Sequence, residues 1–122
     1  MKGRVSFLTV TQTFNLDTAC EVIFKAFGHA PYHVGSSLER ADFHDVDLRM
    51  ILNDGEFDRM FPNNLALKFL NTAVSEWIAA RTGLPIDFQF QRQTEANEKY
   101  SGMRNARGIR FRSMAKEEAR RN

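Results

Sequence analysis

The chain is poor in the residues that staple or break a fold: one cysteine, three prolines and one tryptophan in 122 residues. A lone thiol, Cys20, closes no intramolecular disulfide, so no cysteine framework holds the structure. One cysteine and three histidines also offer little for a zinc site. His29 and His33 are four apart, but Pro31 between them excludes the helical spacing that would pair them on a metal. Purely apolar runs stop after a few residues, far short of the ~20 needed to span a bilayer. Residues Met1 to Val10 show neither the apolar core nor the small-residue cleavage site of a secretory leader. No internal repeat and no low-complexity tract is present. These absences lead us to expect a soluble, cytoplasmic protein with no membrane partner.

What is there is ordinary in amount and uneven in placement. Hydrophobic residues make up 43% and charged residues 26%, as in globular domains generally. The length suits one domain with a real core. Net charge is +2, but residues 1–91 hold eight Lys/Arg against eleven Asp/Glu, whereas residues 92–122 hold nine against four. We therefore divide the chain into a core, 1–91, and a basic, partly ordered C-terminal tail, 92–122. An acidic body with a basic tail suits an anionic partner.

Patterning gives the elements. Val5 to Thr13 alternates loosely and reads as a short strand. Leu16, Ala19, Cys20, Ile23, Phe24 and Phe27 recur at helical spacing, with Asn15 as N-cap and Gly28 as stop. Tyr32-His33-Val34 after Pro31 reads as extended. Asp45 to Leu52 alternates as a strand, ended by the turn signal Asn53-Asp54-Gly55, and Glu56 to Phe61 makes a helical turn. A long helix capped by Asn63 or Asn64 runs to about Arg81, with Gly83 and Pro85 beyond it. Ile86 to Gln91 alternates again as a strand, and a helix is expected from Ser113 to Arg121. The expected fold is α+β, a small mixed sheet with helices on one face.

Asp45 and Asp47 lie two apart on a strand, so their carboxylates share a face. Like charges that close call for a cation, and an oxygen-rich pair suits Mg²⁺ or Mn²⁺ together with substrate phosphates. Asp87 is the one acid on the second strand, opposite its Ile/Phe stripe. Beside the first strand it would complete a three-carboxylate cluster able to hold two divalent ions. Arg49 follows on the same face and can pair with Asp47 instead. Upstream, Val34-Gly35-Ser36 ends a strand where glycine lets backbone N–H groups approach an anion and the hydroxyl adds a donor.

The pattern apolar-Gly-Ser, spacer, Asp-apolar-Asp-apolar and a later strand Asp resembles the nucleotidyltransferase superfamily that includes DNA polymerase beta and the minimal nucleotidyltransferases. Here it reads Val34-Gly35-Ser36, then Asp45-Val46-Asp47-Leu48, then Pro85-Ile86-Asp87-Phe88. The resemblance implies a nucleotidyltransferase-like fold and metal-dependent transfer of a nucleoside monophosphate from a triphosphate to an acceptor hydroxyl. It implies that Asp45, Asp47 and Asp87 hold Mg²⁺ or Mn²⁺ and that Gly35, Ser36 and Ser37 meet phosphate. Many minimal members follow Gly-Ser with a small residue, Arg and Gly; here the arginine is displaced to Arg40. From the tail, Arg104 and Arg107 are the expected anion contacts within Lys99 to Arg112, a stretch without acids. The acceptor is left open among protein, nucleic acid and small molecule, and analogy with minimal members adds a partner chain. The alternative function is a catalytically inactive nucleotide- or nucleic-acid-binding module of the same fold.

Overall fold

The structure, a computed structural model, describes residues 8–35, 44–100, 102 and 104–108. Helix α1 covers Val10–Phe27, strand β1 Tyr32–Val34 and strand β2 Val46–Leu52. Helix α2 covers Asp54–Met60 and helix α3 Asn64–Thr82. Strand β3 (Ile86–Arg92), helix α4 (Gln93–Lys99) and strand β4 (Asn105–Ala106) complete the order. The sheet runs β3-β2-β1-β4. Its central pair, β2 and β3, is parallel, and β1 is antiparallel to both β2 and β4. The expected mixed α+β architecture is what the structure shows.

Alternation along β2 sends Val46, Leu48, Met50 and Leu52 to one face, all at most 1% exposed. Leu16, Cys20 and Ile23 of α1 and Val74 and Ile78 of α3 cover that face. Phe88 and Phe90 join it from β3, with Phe27 and Phe61 edge-on or tilted against Phe90 at 5.2 and 5.0 Å between ring centroids. Such edge contacts add to the area term that holds helices on the sheet.

Two starts differ from the sequence expectation, both for reasons of capping. α1 begins at Val10 rather than Leu16, so Val10 to Thr13 are helical and not a strand. Thr9 and Gln12 close a reciprocal box: the Gln12 N–H donates to Thr9 Oγ1 at 3.1 Å and the Thr9 N–H to Gln12 Oε1 at 2.8 Å. Satisfying two orphan donors outweighs the strand preference of β-branched side chains. Val5, the other end of that expected strand, lies outside the described residues, as does the helix expected over Ser113 to Arg121. Likewise Asn53-Asp54-Gly55 opens α2, because Asn53 accepts from the Glu56 N–H at 2.8 Å. Acids at Asp54 and Glu56 then sit favourably in the first turn.

The first part of the expected tail is also built in. α4 forms although Arg92 offers no capping side chain; Asp54 instead accepts the Thr94 N–H at 3.2 Å from forty residues away. Asp58 pairs with Arg92 beside it. α4 packs on β2 and β3 with Ala96 fully buried. Its last residues reach the polar sheet face: the ring of Tyr100, its C-cap, lies 5.7 Å from the Arg49 guanidinium. Helices therefore lie on both faces, not one.

β3 is an edge strand, and α3 closes that edge with two side chains one turn apart. Ser75 Oγ accepts from the Phe88 N–H at 2.9 Å and donates to the Phe88 carbonyl at 3.3 Å. Asn71 Oδ1 accepts from the Phe90 N–H at 2.9 Å. Unpaired edge groups invite association with other chains, and here they are occupied. Ser75→Ala should cost about 1–3 kcal/mol, the penalty for orphaning partly buried backbone groups. Urea denaturation checks it, and a change under about 0.5 kcal/mol would dismiss the role.

Candidate functional site

On the face of the sheet opposite the core, β2 presents Asp47 and Arg49 and β3 presents Asp87 and Gln89. The parallel register sets Asp47 beside Asp87 and Arg49 beside Gln89. Residues in register on paired strands project to the same side, so the two aspartates stand as neighbours. Asp45, exposed and just ahead of β2, has the same parity. Both neighbours act on Asp47. Its carboxyl is held above the ordinary range, first by burial, with Arg49 pulling it down, Asp87 and Asp45 pushing it up and Lys99 pulling it down.

Gly35 completes the arrangement from β1, where Val34 pairs with Asp47. Its φ is +81°, and a Cβ there would overlap the Asp47 carboxylate. Only glycine both adopts that backbone and leaves room for the carboxylate. The strand-ending glycine and the aspartate are thus in direct juxtaposition. Ser36, Ser37 and Arg40 lie outside the described residues.

Arg49 is a buried cation on this face, 4% exposed. Its Nη1 donates to the carbonyls of Leu48 at 2.9 Å and Asp87 at 2.7 Å. Its Nη2 reaches Asp87 Oδ2 at 3.3 Å, while Gln89 Nε2 donates to Asp87 Oδ1 at 3.2 Å. The sequence offered a pair with Asp47 as the alternative use of Arg49; the direct ion pair is with Asp87. Gln89 and Tyr100 were not singled out, although the parity of Gln89 with Asp87 was the available signal. A groove of about 380 Å³ along α3 and β3, lined by Lys68, Thr72, Glu76, Asp87 and Gln89 among others, leads to Asp87.

The two expected tail arginines have other partners. Arg104 donates from Nε to the Tyr100 carbonyl at 2.7 Å and from Nη2 to the Ala96 carbonyl at 2.8 Å, closing the C-terminal turn of α4. Arg107 is 5% exposed. Its Nη2 donates to His33 Nδ1 at 2.8 Å and its Nη1 lies 3.8 Å from Asp17 of α1. Beside it Gly108, at φ +81°, would place a Cβ 2.5 Å from the backbone of Cys20 and Glu21. This cluster ties β4 to β1 and α1. Among the described residues of the stretch 99–112, Lys99 is the one whose charge acts on Asp47. His29 pairs with Glu56 at 3.1 Å and His44 is exposed.

Among the described residues no group of three His, Cys, Asp or Glu side chains is arranged as a ready-made metal site. Asp47 and Asp87, with Asp45 at the mouth, are hard oxygen donors of the number Mg²⁺ uses alongside substrate phosphates and water. Burial raises the Asp47 carboxyl most, and the Asp87 and Asp45 charges add to it; a divalent cation would offset both by favouring the charged form. The donor set therefore suits such an ion. Among the described residues no helix is long and apolar enough to cross a membrane. No protein family, curated protein or solved structure matches the chain.

Two pH effects follow. A raised carboxyl means that the charged form of Asp47 destabilises the fold above its ordinary value of 3.8, and protonation relieves this as pH falls. Asp47→Asn should therefore raise Tm at neutral pH, with the gain shrinking in acid; thermal melts at several pH values check it, and a lower Tm at neutral pH contradicts it. His33 behaves oppositely. Burial and then the Arg107 charge push it from 6.5 down to about 3, so stability is complete above 6.5 and is lost as pH falls. From about pH 7.5 to about pH 5 this amounts to roughly 2 kcal/mol. His33→Gln, which keeps an acceptor for Arg107, should remove that slope in urea titrations; an unchanged slope excludes His33 as its source.

Proposed function

We propose that the chain is a nucleotidyltransferase that moves a nucleoside monophosphate from a triphosphate, ATP included, to an acceptor hydroxyl, using Mg²⁺ or Mn²⁺. The observation that carries the reading is the meeting of Gly35, Asp47 and Asp87 at one end of β1, β2 and β3. A strand-end glycine beside a carboxylate pair puts a backbone approach for phosphate next to a site for a divalent cation.

In this reading Asp47 and Asp87, with Asp45, hold the metal, which when bound neutralises phosphate charge and lowers the pKa of the attacking hydroxyl. Gly35 lets the triphosphate approach closely, with Ser36 and Ser37 following it in the chain. Lys99 adds positive charge on the same face. Asp87 is the acceptor-side carboxylate, because the polar groove along α3 opens onto it. The acceptor oxygen bonds to the α-phosphorus while the α–β bridging bond breaks. Pyrophosphate leaves with that electron pair, and the hydroxyl proton passes to solvent.

A second reading, a nucleotide-binding module without catalysis, rests on Arg49. Its guanidinium already pairs with Asp87, so one of the two neighbouring carboxylates has a counter-ion without a metal. One experiment separates the two. The protein is incubated with α-labelled triphosphates, Mg²⁺ or Mn²⁺ and a panel of protein, nucleic-acid and small hydroxyl acceptors. Transfer should require the metal, stop with EDTA and fall at least ~100-fold in Asp47→Asn, about 2.7 kcal/mol of barrier. Equal rates for both proteins rule out this chemistry, and nucleotide retention without transfer favours the binding module.

A further inference from the structure

The hydrogen bonds of Arg49 are unequal, and the inequality has a chemical meaning. Its short contact is to a backbone carbonyl, Nη1 to Asp87 O at 2.7 Å, with Leu48 O second at 2.9 Å. Its contact to the Asp87 carboxylate is 3.3 Å, longer than the about 2.7–2.9 Å of a well-made charge-assisted bond. Its Nε finds no hydrogen-bond partner among the described residues although the side chain is buried. The guanidinium is thus anchored by main-chain oxygens, and the carboxylate is its loosest partner. The Tyr100 ring stands 5.7 Å from the guanidinium, within the range of a cation–π contact. Asp87 in turn is 38% exposed and is held from its other oxygen by Gln89 at 3.2 Å. It has room to turn.

We propose that Arg49 is a positioning residue that acts as the resident counter-ion of Asp87, and that a divalent cation binds beside Asp47 by drawing the Asp87 carboxylate off a guanidinium that stays on the Leu48 and Asp87 carbonyls. Cation binding and the Arg49–Asp87 pair are then mutually exclusive. Two positive groups cannot share Asp87 Oδ2 at contact distance without repelling each other. After the exchange Arg49 keeps free donors on the face where an anion would follow the metal. This inference rests on the metal-site reading of Asp47 and Asp87, but not on which reaction the site performs.

The test uses the full chain with Mn²⁺ and Mg²⁺ as probes and no nucleotide. Free Mn²⁺, read by electron paramagnetic resonance, gives Kd for the native protein, Arg49→Gln, Asp87→Asn and the double variant. Arg49→Gln should tighten binding at least tenfold by releasing Asp87, and the gain should vanish when Asp87→Asn is added. Unchanged or weaker binding in folded Arg49→Gln overturns the proposal, as does a failure of both native protein and Arg49→Gln to take up millimolar Mn²⁺. Should Arg49→Gln not fold, the native chain still decides. In a Mg²⁺ titration the Arg49 guanidinium and Asp87 carboxyl NMR signals should shift together, with one midpoint equal to the Kd. Binding that leaves the guanidinium signal in place overturns this inference while sparing the proposed reaction. Coupled shifts without any nucleotidyl transfer support it while refuting that reaction.

Discussion

The parallel register of β2 against β3 is the constraint on which both faces of the molecule depend. With Val46 beside Ile86 and Leu48 beside Phe88, the apolar rows coincide and bury under α1 and α3. The same register puts Asp47 beside Asp87 on the reverse. A slip of one residue would set Asp47 beside a core phenylalanine or isoleucine and turn an entire row over. The cost of two neighbouring carboxylates is therefore held in place by hydrophobic burial on the other side of the sheet. The repulsion is local and the burial runs the length of both strands, so burial prevails.

Each face also has its own buried guanidinium, and the two serve different ends. Arg107 lies on the core side with neutral His33 and with Asp17, where it fastens β4 to β1 and α1. Arg49 lies on the polar side between the sheet and Tyr100, where it balances Asp87. Both charges are nearly out of water, and each is compensated by oxygen or nitrogen acceptors rather than by solvent, as burial demands. The difference is what stands next to them. Arg107 is enclosed by helix and strand backbone, with Gly108 hard against Cys20 and Glu21. Arg49 faces a half-exposed carboxylate and a groove.

Remote side chains complete the fold where local sequence does not. Asp54 and Asp58 of α2 serve the start of α4, and Arg104 serves its end. Ser75 and Asn71 of α3 finish the edge of β3. Apart from the Asp58–Arg92 ion pair, each of these contacts satisfies from elsewhere a backbone group that its own segment leaves unpaired. These ties bring Lys99 and Tyr100 to the polar face, so the chain after β3 contributes to the candidate site by way of a helix.

Periodicity and local capping determined much of this protein. The stop of α1 at Gly28, the span of α3 between Asn63 and Gly83 and the alternation of β2 and β3 follow from neighbours within a turn or a pleat. Parity alone put Asp45 with Asp47 on one face. The Thr9–Gln12 box and the Asn53 cap were equally local, yet β-branched alternation and a turn-like Asn-Asp-Gly masked them. Only the tertiary structure decided the rest. It chose the β2–β3 register that brought Asp87 to Asp47, and it gave Arg49 to Asp87. It made α4 from a segment whose capping acceptor is forty residues away, and it spent Arg104 and Arg107 on backbone and core. The physical reason is one of range: dihedral preferences and caps act over a few residues, whereas burial and charge compensation are settled by whichever distant group the folded chain delivers.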